Sequence, residues 1–162
     1  MDLIEMSVDS VRVHMPSGQH VVVLKEKDAD RFLPIWVGVA EANAITLRIE
    51  GIQPERPMTH DLIVNILRDF NMQVRTVMVS ELRNDTFFAR ILGRIDGREV
   101  EIDSRPSDAI AIATRLEVPI MVDREVLNQA GVVPEGRTED PKLQVFQEIV
   151  NDMNLPDLED RD

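Results

Sequence analysis

The sequence predicts an α+β fold: a curled, mostly antiparallel β-sheet with helices packed on it, followed by a C-terminal helical tail. Three observations carry this. Runs of period-two alternation are separated by tight-turn residues, which favours hairpins over parallel crossovers. Four runs of helical periodicity interrupt them, with recognisable starts or stops. Aromatics are scarce, with one Trp, five Phe and no Tyr, so the core must be built from Val, Ile, Leu, Met and Ala.

The elements follow in chain order. Leu3 to Met15 alternates, and Pro16-Ser17-Gly18 turns it into His20–Leu24, a β-hairpin signal. Phe32–Val37 reads as a third strand, released by Gly38. Ala40–Glu50 is helical with Gly51 as its C-cap, and the loop Ile52–Met58 carries two prolines. Thr59 then caps an amphipathic helix with Leu62, Ile63, Ile66, Leu67 and Phe70 on one face. Met72–Glu81, Asp85–Leu92 and Arg98–Asp103 read as strands punctuated by Asn84-Asp85 and Asp96-Gly97. A helix from Pro106 to Leu116, a short strand Pro119–Val122 and a helix Arg124–Ala130 complete a domain spanning residues 1–133. Residues 134–162 form an acidic linker, a short amphipathic helix (Leu143–Met153) and a frayed end.

Composition narrows the function classes. At 162 residues the chain is long enough to bury a core, and 43% hydrophobic with 30% charged residues fits a globular protein. With no cysteine there is no disulfide, thiolate metal site or cysteine nucleophile, in keeping with a cytoplasmic setting. No apolar run approaches a membrane span, and the acidic, alternating start argues against a leader peptide. The net charge of −12 is divided evenly: residues 134–162 hold nine acids and three bases, residues 1–133 hold 21 acids and 15 bases. Thirteen of those 15 bases are Arg, suited to bidentate phosphate or carboxylate contacts. Avid non-specific DNA binding requires a basic surface, so nucleic acid would have to be held by local Arg clusters or a metal bridge.

The chemistry-bearing residues cluster at two Arg-Pro helix entries. Asp103-Ser104-Arg105-Pro106-Ser107-Asp108 places two carboxylates, a guanidinium and two hydroxyls at a helix mouth, where N–H groups and the dipole favour anions. Arg56-Pro57-Met58-Thr59-His60-Asp61 is a shorter echo. Each segment also has a local reading. Ser104 or Ser107 could accept first-turn N–H bonds, Pro106 suits the first turn, and Arg105 could pair structurally with an acid. With the apolar face of the second helix centred on Leu62, Ile66 and Ile63, Asp61 falls almost opposite, beside Arg68, with His60 on the flank. Glu41 and Arg48 form a further polar stripe. A Gly-rich phosphate loop, a Gly-x-Ser-x-Gly elbow, a His-Glu-x-x-His helix and an EF-hand are all absent from the sequence.

Taken in order, several motifs resemble the bifunctional nuclease domain family over about residues 1–133. They are Pro34-Ile35-Trp36-Val37-Gly38 with Glu41-Ala42, Arg56-Pro57-Met58-Thr59-His60-Asp61-Leu62, Phe87-Phe88-Ala89, Asp103-Ser104-Arg105-Pro106-Ser107-Asp108-Ala109-Ile110-Ala111, and Pro119-Ile120. Ser104 stands where relatives often have Ala. The resemblance implies an α+β nuclease acting on DNA and RNA, with subunits that associate as a dimer or trimer. Motif positions carry over at Glu41, Arg56, Thr59, His60, Asp61, Asp103, Arg105, Ser107 and Asp108.

The leading expectation is phosphodiester hydrolysis. Asp61, Asp103 and Asp108, with Glu41, would hold Mg²⁺ or Mn²⁺, and His60 would act as general base or acid. Arg56 and Arg105 would clamp phosphate oxygens, supported by Thr59 and Ser107. Two other readings remain open: a non-enzymatic oligomeric binding module, and a pocket for a small phosphorylated metabolite.

Overall fold

The structure, a computed structural model, describes residues 1–134. The expected tail helix, Leu143–Met153, lies outside the described residues. The chain forms β1 (Leu3–His14), β2 (Gln19–Glu26), β3 (Phe32–Val37), α1 (Val39–Ile49), α2 (Thr59–Asp69), β4 (Gln73–Arg83), β5 (Thr86–Ile95), β6 (Arg98–Ser104), α3 (Pro106–Leu116), β7 (Ile120–Asp123) and α4 (Arg124–Ala130). The strands make one open sheet in the order β3-β2-β1-β7-β4-β5-β6. All pairs are antiparallel except β4 with β7, so this is the mostly antiparallel α+β fold expected.

The two C-terminal hairpins turn as their sequences direct. Asn84 and Asp85 both take positive φ (51° and 58°), as do Asp96 and Gly97 (50° and 79°), the left-handed pair that matches strand twist in a two-residue hairpin. The short β7 has the decisive position. It inserts between β1 and β4, with Val122 opposite Ile4 on one side and Val79 on the other, and thereby fuses an N-terminal three-stranded unit to a C-terminal one. Val122 is fully buried there.

The core lies between sheet and helices. Ile45 of α1 and Ile110 of α3 are fully buried with Leu24, Leu33, Val77, Val79 and Leu127. α3 is the central helix: Ala109 to Ala113 are all buried, and α3 packs on both α1 and α2. Small residues at 109, 111 and 113 allow the neighbouring helices close approach, so the N-termini of these helices can meet.

α2 departs from its expected orientation. The face predicted to be buried is centred on Leu62 and Ile66, yet these are 53% and 46% exposed, and Phe70 is 72% exposed. The inward residues are His60 and Val64, flanked by the half-buried Ile63 and Leu67. Seating His60 and Val64 against α3 turns Leu62, Ile66 and Phe70 outward in a row with a four-residue step. A polar tether, described below, fixes this rotation. Among the described residues, no helix is long and apolar enough to cross a membrane.

Candidate functional site

Three helix N-termini converge. Glu41 stands in the first turn of α1, His60 and Asp61 in the first turn of α2, and Asp108 in the first turn of α3, whose N-cap is Arg105. One polar chain threads them. Arg105 Nη2 donates to Glu41 Oε1 at 2.7 Å, and Arg105 Nε donates to Asp108 Oδ2 at 2.7 Å. Asp108 Oδ1 lies 2.9 Å from His60 Nε2. The two Arg-Pro helix entries are therefore brought together, and α1 adds a third mouth. Gly38, just before α1, has a specific part in this. A Cβ there would collide with Glu41 Oε2, so the glycine lets that carboxylate fold back over its own helix end.

Electrostatics follow from the geometry. For Asp108, burial opposes ionisation, but hydrogen bonds from Arg105 and His60 outweigh it and hold the carboxyl below its ordinary range. Glu41 is likewise lowered, first by its own backbone N–H and then by Arg105. The two acids raise Arg105 above the usual guanidinium value, so it is always a cation. Its side chain is nevertheless 65% exposed, which leaves donors facing solvent.

Asp61 has a different partner from the one expected. It does not stand free beside Arg68; Oδ1 accepts a 2.7 Å bond from Arg115 Nε, and Oδ2 accepts the Met58 N–H at 2.9 Å. Arg115 is only 8% exposed and also donates to the carbonyls of Ala111 (3.0 Å) and Ala44 (3.1 Å), tying α1, α2 and α3 together. This is the tether that sets the rotation of α2. Burial works against the Asp61 charge, yet the Met58 N–H and Arg115 hold its pKa below the ordinary value. Thr59 is not the cap of α2: Met58 is the N-cap residue, and Asp61 reaches back to it. Neither serine caps α3 through its side chain; Ser104 Oγ donates to the Arg105 carbonyl instead.

Sequence comparison decides the family. Residues 22–135 match the model of the bifunctional nuclease domain. The chain belongs to the bifunctional nuclease domain family. It is 40% identical over 147 residues to an uncharacterised protein of Mycobacterium tuberculosis, covering 90% of this chain and 88% of that protein. It is 30% identical over 126 residues to bifunctional nuclease 1 of Oryza sativa subsp. japonica, covering 75% of this chain and 38% of the rice protein. With bifunctional nuclease 1 of Arabidopsis thaliana it shares 28% identity over 140 residues, covering 78% and 43%.

Within this bifunctional nuclease domain, the expected residues divide into two groups. Glu41, His60, Arg105 and Asp108 form the connected network, with Asp61 joined to α3 through Arg115 and Ser107 buried in the same first turn. Asp103, Arg56 and Thr59 are exposed and outside it. Asp103, the last residue but one of β6, stands opposite Arg90 and makes no ion pair among the described residues; Arg105 takes Glu41 rather than Asp103 as its second acid. Of the acids expected to hold a cation, Glu41, Asp61 and Asp108 are each engaged by a guanidinium, and Asp103 lies outside the network. Among the described residues no three His, Asp or Glu side chains form a group that could hold a metal ion. Arg115 was missed at the sequence level. Its signal was available: an arginine closing a helix whose preceding turns are Ala109-Ile110-Ala111-Ile112-Ala113 must find carbonyl or carboxylate partners.

What remains is chemistry suited to a phosphate diester. A histidine is oriented by an ionised carboxylate, and an exposed guanidinium stands on that same carboxylate. As Asp108 is an acceptor, Nε2 is the donor nitrogen of His60, and Nδ1 is the ring nitrogen turned away from that carboxylate. The His60 side chain is buried, only 7% exposed, and its Nδ1 has no hydrogen-bond partner among the described residues.

Proposed function

We propose that this domain hydrolyses phosphodiester bonds in DNA and RNA, with His60 as general base and Arg105 as the phosphate-facing cation. The observation that carries the reading is the Asp108–His60 contact of 2.9 Å, with Arg105 on the other oxygen of the same carboxylate. Nδ1 takes a proton from the attacking water as its oxygen bonds to phosphorus. Asp108 stabilises the imidazolium that results, by the same logic that orients histidine in hydrolytic triads. As the ester P–O bond breaks, the departing oxygen, on the far side of phosphorus, takes a proton from solvent, and Nδ1 later returns its own to water. Arg105, exposed and permanently charged, meets the negative charge growing on the phosphate oxygens. Family membership and the names of the rice and Arabidopsis relatives support nucleic acid as the substrate.

The pairing of every network acid with a guanidinium favours a second reading, in which the cluster only ties three helices and the domain binds without cleaving. One experiment separates them. Purified protein is incubated with plasmid and with RNA, in Mg²⁺, in Mn²⁺ and in chelator, beside a His60→Gln variant. Cleavage by wild type that is lost in His60→Gln supports hydrolysis. Cleavage by neither protein in any of the three conditions, with binding retained, establishes the binding module.

A further inference from the structure

Beside the network lies a second feature that the proton chemistry does not use. A cleft of about 550 Å³ opens between the C-terminal half of α1, the loop after it and α2. Asp61 lines it and follows His60 directly, so cleft and network share the first turn of α2. Its volume falls within the range of small-ligand sites. Its lining holds three guanidiniums (Arg48, Arg68, Arg115) against two carboxylates (Glu55, Asp61), and Asp61 is already engaged by Arg115. In a chain of net charge −12 this is a local reversal of sign.

The uncommitted donors identify what fits. Gln53, Asn65 and Arg68 line the cleft, and their side chains have no hydrogen bond or ion pair among the described residues. Arg48 spends Nε on the Thr114 carbonyl and Nη2 on Glu117, leaving Nη1. Ile52, Pro54 and Pro57 add apolar wall. Two side-chain amides can each donate and accept, as a base edge requires, while guanidiniums suit a phosphate.

We infer that this cleft is a nucleotide subsite: Arg68, with Arg48, takes a phosphate, and Gln53 and Asn65 meet the edge of an unpaired base. The inference rests on the nuclease reading in that it supplies the flanking nucleotide of a strand whose scissile phosphate lies at His60 and Arg105. A paired base has its edge occupied, so the subsite selects single-stranded over duplex substrate.

The test uses the full chain and a fluorescein-labelled, cleavage-resistant phosphorothioate single strand, read by anisotropy across a salt series. Competition by AMP, by inorganic phosphate and by the same sequence as a duplex forms the remaining arms. Arg68→Glu is expected to weaken strand binding about tenfold or more and to lower the salt slope by about one. Arg98→Glu, the same charge change at an exposed position on the edge strand β6, is expected to leave both unchanged. Gln53→Ala with Asn65→Ala is expected to erase the preference for single strand over duplex. Competition by AMP far better than by inorganic phosphate supports a site for base plus phosphate; equal competition overturns it. Strand displacement by AMP at matched nucleotide concentration shows that the site also accepts a free nucleotide and supports the subsite. Equal loss in Arg68→Glu and Arg98→Glu overturns the inference while leaving cleavage untouched. Arg68-dependent binding without any cleavage by wild type upholds the subsite and overturns the nuclease reading.

Discussion

His60 and Asp108 are 48 residues apart in sequence, yet Nε2 and Oδ1 stand 2.9 Å apart where α2 and α3 begin. That contact joins two helix entries of similar sequence into one site. It depends on α3 being small-sided and deeply buried, so that α2 can pack on it with a histidine turned inward.

Asp108→Asn tests the contact directly. The amide keeps the volume but no longer fixes the Nε2–H tautomer or offsets an imidazolium. Cleavage of DNA and RNA is expected to fall about 10²–10⁴-fold in kcat, with KM little changed, since the loss is confined to the transition state. Arg105 is mostly exposed but His60 is buried, so stability should also fall, by about 1–3 kcal/mol. Steady-state kinetics beside a denaturation curve measures both, and unchanged kcat would place the chemistry elsewhere.

Acid should unfold the domain through these same carboxylates. The pKa values of Glu41, Asp61 and Asp108 are all lowered by folding. A depressed value means that the unfolded chain binds the proton more readily. The stability contributed is therefore complete above the ordinary carboxylate range of about 4 and is lost as pH falls through the lower folded values. Urea midpoints taken stepwise from neutral pH to below about pH 4 should show this decline. It should be shallower in an Asp61→Asn, Asp108→Asn double variant; parallel curves would assign the acid sensitivity to other groups.

How far the sequence disclosed this arrangement depends on which force governed each part. Period-two alternation and the Asn84-Asp85 and Asp96-Gly97 turns are local, and the strands came out where local rules put them. The likeness of the two Arg-Pro entries marked both as candidate sites, but their meeting was not legible, because it depends on the packing of α2 on α3. The face of α2 was not, because apolar periodicity counts Leu62, Ile66 and Phe70 as core, whereas packing on α3 buried His60 and Val64 instead. The partners of Asp61 and Arg105 were equally hidden: Arg115 lies 54 positions from Asp61, and Glu41 lies 64 from Arg105. Spacing along the chain also placed Asp103 among the site acids, but strand β6 carries it outside the network.

Arg115→Met should reveal how much the tether holds. The substitution keeps the aliphatic bulk but strands the Asp61 charge and frees the Ala44 and Ala111 carbonyls. Breaking a buried pair costs about 3–5 kcal/mol, and the partial exposure of Asp61 reduces this to about 2–4 kcal/mol. Adding Asp61→Asn should recover part of the loss, giving a coupling of about 1–3 kcal/mol in a double-mutant cycle. Additive losses would mean that the carbonyl bonds, not the ion pair, carry the tether.

Gly38→Ala separates geometry from stability. The backbone at Gly38 is extended with negative φ, so alanine is conformationally acceptable and the change should cost less than about 1 kcal/mol. The new methyl group meets the Glu41 carboxylate, the mobile end of a flexible side chain, which must swing away from the first turn of α1. Arg105 then keeps Asp108 but loses its second acid, and its guanidinium is no longer held from both sides. Misplacing a catalytic group by about 1 Å can cost about 10²-fold, and with Asp108 still bonded a loss of about tenfold in kcat/KM is expected. Glu41→Gln should reproduce part of that loss without the steric push. If Gly38→Ala cleaves as wild type does while Glu41→Gln is impaired, the carboxylate acts through its charge rather than through the position the glycine permits.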